Sequence, residues 1–81
     1  MREALKKSPV IGGSLSPAAR AMVRRAWTSP DKTTFLQRAS DERAAEEAVS
    51  ARYLAPLSGH DDIWRITARG EAYMAALMRA H

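Results

Sequence analysis

His60, Asp61 and Asp62 are the one cluster in the chain whose side chains suit metal ligation or acid/base work, since imidazole and carboxylate can each hold a cation or move a proton. Three adjacent residues in a turn cannot easily converge on one ion, and the only other histidine is His81, at the last position. The triplet therefore reads as a polar turn, and no metal site follows from it. The chain has no cysteine, which removes thiolate ligands and disulfides alike. Ser14, Ser16 and the other hydroxyls have no identifiable histidine base with an orienting acid, so nucleophilic catalysis lacks a mechanism. Gly12-Gly13 lacks the lysine and the spacing of a phosphate-binding loop. The sequence predicts a protein that is not an enzyme and needs no cofactor.

Residues suited to binding are more plentiful. Thirteen Lys and Arg against nine Asp and Glu leave a net charge of +4, which favours a polyanion or an acidic protein surface and serves solubility equally. Lys32, Arg38, Arg43 and Arg65 are the candidates for phosphate or base contact in double-stranded DNA. Arg43 also stands three and four residues before Glu46 and Glu47, the spacing of an intrahelical ion pair. Thr33, Thr34, Gln37 and Ser50 add neutral hydrogen-bonding groups. An opposite set, Glu42, Glu46 and Glu47 with Asp61 and Asp62, suits a basic protein surface instead.

The elements that must position these side chains follow from periodicity and punctuation. Eighty-one residues, 46% hydrophobic and 27% charged, have the composition of one folded domain with a single core. No apolar run approaches the roughly 20 residues that span a bilayer, and the basic start Met1 to Lys7 is not followed by a hydrophobic signal segment. A cytoplasmic location without membrane contact is expected. Residues 1–15 read as an N-terminal arm around Val10-Ile11, with basic residues free to reach a polyanion. Ser16-Pro17 is a helix start, and Ala19, Met22, Val23, Ala26 and Trp27 then recur at helical spacing.

Ser29-Pro30-Asp31 repeats the start signal and predicts a second, short helix over residues 30–39 carrying Phe35, Leu36 and Ala39. Ser40-Asp41-Glu42 is a third start, followed by the small stripe Ala44, Ala45, Ala48 and Val49 to about Arg52. Tyr53 to Leu57 and Ile63 to Ile66 read as two antiparallel strands joined by the loop 58–62. Thr67 can cap the last helix, whose face is Tyr73, Met74, Leu77 and Met78. Trp27 and Trp64 read as core plates.

The order helix, helix, tight turn, helix, hairpin, helix resembles a winged helix-turn-helix domain. The best local match is Ile63-Trp64-Arg65-Ile66-Thr67-Ala68-Arg69-Gly70-Glu71-Ala72-Tyr73, similar to the apolar-x-apolar-Thr-x-x-Gly phrase that leads from the second wing strand into a C-terminal helix in many small regulators of bacteria and phages. The resemblance covers roughly residues 16–80. It implies a mostly α fold with a small β-hairpin: a three-helix core plus wing and C-terminal helix over residues 16–81. Residues 30–39 would be the supporting helix, 41–52 the recognition helix and 58–62 the wing tip.

The function it implies is sequence-directed DNA binding in transcription regulation, with the third helix in the major groove and the wing on the backbone. The alternative on the same scaffold is a protein-interaction module, a phage-type inhibitor or adaptor, binding a basic partner through the acidic face of helix 41–52 and the wing tip. Met74, Leu77 and Met78 on the C-terminal helix offer a homodimer surface, which would present two recognition helices at once.

Overall fold

The computed structural model describes residues 15–79, so the arm expected over residues 1–15 lies outside the described residues except for Leu15, which is buried in the core. The first helix, α1 (Pro17–Thr28), starts as its sequence dictates. The Ala19 amide donates to Ser16 Oγ at 3.1 Å, and Pro17 occupies a position where a missing N–H costs nothing. Ala19, Met22, Val23 and Ala26 form its buried stripe.

Residues 30–39 do not form the expected second helix; they form a turn, the strand β1 (Thr33–Phe35) and a second turn. Asp31 accepts from Ser29 Oγ at 2.6 Å and Thr33 Oγ1 at 2.8 Å, closing a local loop in place of a helix start. Lys32 follows with φ +64°, a left-handed conformation that no α-helix admits. The β-branched pair Thr33-Thr34 and Phe35 then suit a strand better than a helix. The expected three-helix core with a fourth, C-terminal helix is thus corrected to three helices among the described residues, and the expected hairpin to a three-stranded sheet.

Helix α2 (Ser40–Ser50) has no capping bond from Ser40. Asp41 reaches back instead, accepting from the amides of Gln37 at 3.0 Å and Arg38 at 3.3 Å, which ties the segment entering the helix to its first turn. At its far end the Tyr53 amide donates to the Ala48 carbonyl and the Arg52 amide to that of Val49, each at 2.9 Å, with Arg52 at φ +68°. That is a Schellman stop with arginine where glycine is usual. Buried Ala44, Ala45 and Ala48 let α2 approach α1 closely.

Strands β2 (Leu54–Pro56) and β3 (Ile63–Ile66) pair antiparallel, as the two predicted strands should, and β1 adds to the other side of β3 to give the order β1-β3-β2. Alternation sorts the side chains: Thr34, Trp64, Ile66 and Leu54 face the core, whereas Thr33, Phe35, Ile63, Arg65 and Ala55 face outward.

The last helix, α3 (Ala68–Arg79), is capped by Thr67, whose Oγ1 accepts from Gly70 N at 2.9 Å and donates to the Arg52 carbonyl at 2.6 Å. A Cβ on Gly70 would collide with the Tyr53 carbonyl oxygen and the Ile66 side chain. The Thr-x-x-Gly phrase therefore has a physical meaning: threonine starts the helix and glycine lets it press against the backbone beneath. Tyr53 and Tyr73 stack 4.4 Å apart across this junction.

Candidate functional site

The helices cover one face of the sheet and leave the other open. On the open face Phe35 pairs with Ile63, while Thr33 and Ala55 flank Arg65. Phe35 is 55% exposed and Arg65 is exposed beside it along the sheet. Two backbone bonds fix the β2–β3 loop against this end: Leu36 N donates to the Asp62 carbonyl at 3.0 Å and Leu57 N to that of Ile63 at 2.9 Å. The exposed carboxylates of Asp61 and Asp62 are thereby held next to the strand end that bears Phe35. Gln37 and Arg38 follow Leu36 directly and deliver the chain into α2, so the aromatic side chain, the loop tip and the start of α2 are contiguous.

The candidate cations are dispersed. Lys32 donates through Nζ to the Trp27 carbonyl at 2.9 Å, serving the carbonyl end of α1. Arg38 is exposed just before α2, and Arg43 is exposed on α2 itself. Arg43 lines a shallow depression of about 540 Å³ with Ala39, Ser40, Glu42 and Glu46. Arg65 lies in the middle strand of the open face.

Among the candidate acids, Glu42, Glu46, Asp61 and Asp62 are exposed. Glu47 is half-buried and accepts from Ser16 N at 2.7 Å and Ser16 Oγ at 2.8 Å, joining α2 to the start of α1. Arg43 makes no ion pair with Glu46 or Glu47; the one ion pair among the described residues is Arg25 with Asp41, at 3.4 Å.

That ion pair belongs to a junction the sequence did not disclose. Arg25 Nε donates to Thr34 Oγ1 at 3.2 Å and Nη2 to the Phe35 carbonyl at 3.1 Å, so one guanidinium joins α1, β1 and α2 behind the exposed phenyl ring. Burial of Asp41 pushes its carboxyl up, but the amides of Gln37 and Arg38 and the charges of Arg25 and Arg38 outweigh it and hold the pKa below the ordinary value. The Ser29 and Thr33 hydroxyls lower the exposed Asp31 likewise. Both acids support the fold.

No family model, curated protein or solved structure matches this chain. Among the described residues no group of three or more His, Asp or Glu is placed to hold a metal ion, and no helix is long and apolar enough to cross a membrane.

Proposed function

We propose that the chain is a winged-helix-like protein-interaction module whose open sheet face and adjoining acidic tip bind a basic partner. The observation that carries this reading is Phe35, a large apolar side chain 55% exposed on the uncovered face and bordered by Asp61 and Asp62. Aromatic anchors are enriched where interfaces are energetically strongest, and the carboxylates of Asp61 and Asp62 at one end of the face match basic groups on a partner. The exposed Glu42 and Glu46 of α2 extend the acidic character beyond the loop. The strand order β1-β3-β2, with a helix between β1 and β2 and a loop between β2 and β3, supports the winged-helix likeness, although a supporting helix is replaced by β1 and its turns.

A second reading, duplex DNA binding in transcription regulation, is favoured by the exposed Arg38, Arg43 and Arg65. Against it stand the acids on α2 and at the loop tip, the places where such a scaffold meets phosphates. The experiment pairs two measurements on the full chain. Affinity capture should retain a protein with a basic surface that Phe35→Ala and Asp62→Lys each release. Titration of random duplex DNA at low and near-physiological salt should show little binding at either. Micromolar, steeply salt-dependent DNA binding, weakened by Arg38→Ala with Arg43→Ala, would overturn the protein reading in favour of the regulator.

A further inference from the structure

A groove of about 490 Å³ runs between α1 and α3, away from the open sheet face and sharing no residue with it. Its α1 wall is Pro17, Arg20, Ala21 and Arg24, which recur at three- and four-residue spacing along one helical face. Its α3 wall is Met74, Leu77 and Met78. Met78 is 41% exposed, the one large apolar side chain besides Phe35 that the described fold leaves in water. Arg20 and Arg24 lie one turn apart and their guanidinium groups have no hydrogen bond or ion pair among the described residues, in contrast to Arg25, which is fully engaged across the core edge.

We infer that this groove receives an acidic amphipathic helix from another protein. An apolar floor of flexible thioethers and a leucine adapts to the apolar stripe of such a helix, and two guanidiniums on one wall, without a partner among the described residues, match carboxylates beside that stripe. Phosphate backbones are the wrong occupant, because the Met74, Leu77 and Met78 wall offers them no partner. A second copy packed here about a two-fold axis would bring two basic walls into one interface, and the groove lining holds no Asp or Glu to answer them. The inference stands apart from the reading of the sheet face: the two surfaces call for partners of opposite charge.

The test uses the full chain and two labelled helical peptides about four turns long, each with leucines at three- and four-residue spacing. One carries Glu on both sides of the stripe and its twin carries Lys. In fluorescence anisotropy at near-physiological salt the Glu peptide should bind about tenfold more tightly than the Lys peptide. Arg20→Glu with Arg24→Glu should reverse that order, and Met78→Asp should weaken both peptides. The Leu77, Met74 and Met78 methyl resonances should shift on titration while those of Ile63 stay in place, and circular dichroism of each variant reports that it is folded. Equal affinities, an order unmoved by the arginine reversal, or shifts centred on Ile63 would overturn the inference. So would a dimer seen by sedimentation and lost in Met78→Asp, which would assign the groove to a second copy, or duplex DNA binding abolished by the arginine reversal.

Discussion

Asp41 shows how much can rest on one side chain in so small a protein. Its carboxylate is buried, yet it receives two backbone amides and faces Arg25, which in turn holds Thr34 and the Phe35 carbonyl. The folded-state pKa lies below the 3.8 of an ordinary aspartate, so its contribution is fully present above that value and is lost as pH falls through the lower, folded-state pKa. Asp41→Asn keeps an acceptor oxygen for the amides but removes the charge, and should cost about 1–2 kcal/mol at neutral pH. Urea unfolding of both proteins across a pH series checks this: the gap should close at the acid end. A gap that does not change with pH would show that the charge contributes nothing.

At the scale of elements, the stability of this fold is concentrated where helices end. Gly70→Ala should destabilise by about 1–3 kcal/mol despite the better helix propensity of alanine, because the new methyl group meets the Tyr53 carbonyl, a backbone atom that cannot swing aside. Arg52→Gly should do the opposite, stabilising by about 0.5–1 kcal/mol, since its left-handed φ of +68° strains any residue with a Cβ and glycine is free of that cost. Chemical denaturation of the two variants beside the parent measures both signs.

These helix ends also mark what was legible in the sequence. The caps at Ser16 and Thr67, the apolar stripes of α1 and α2 and the pairing of β2 with β3 all follow from local signals. Strand β1 was hidden because Ser29-Pro30-Asp31 imitates a helix start and Phe35, Leu36 and Ala39 fall at spacings a helix also uses. Only the pairing of Thr33 to Phe35 with β3, about thirty residues away, decides for a strand, and a reading of one segment at a time cannot see it. The candidate surface was hidden for the same reason. Phe35 reads as core on a helix and becomes exposed only once it lies on the outer side of a sheet. Glu47 and Asp41 have the opposite history: Glu47 reads as part of an acidic partner surface and Asp41 as part of a helix start, yet both are used to join elements.

The molecule as a whole has one core, to which every helix contributes: Ala19, Met22, Val23 and Ala26 from α1, the three alanines of α2, and Tyr73 and Met74 from α3, meeting Leu54, Trp64 and Ile66 of the sheet. No pair of elements could keep its apolar surface dry alone, and a Cα radius of gyration of 12.6 Å fits one compact body. The element most easily imagined to detach is α3, at the end of the described chain, but it is tied to the end of α2 and the start of β2 in several ways. Thr67 bonds the Arg52 and Tyr53 carbonyls, Arg69 Nε donates to the Ala51 carbonyl at 3.0 Å and lies over the Tyr53 ring, and Tyr73 stacks on that ring. Losing α3 would also uncover Ile66, against which Gly70 packs. The expected outcome is therefore a single cooperative transition. A Trp27→Phe variant leaves Trp64, only 9% exposed, as the sole tryptophan, so its fluorescence reports the sheet while far-ultraviolet circular dichroism reports the helices. The two denaturation curves should superimpose. Helical signal falling ahead of the fluorescence would mean that a helix leaves while the sheet around Trp64 persists, and that the fold is not one cooperative unit.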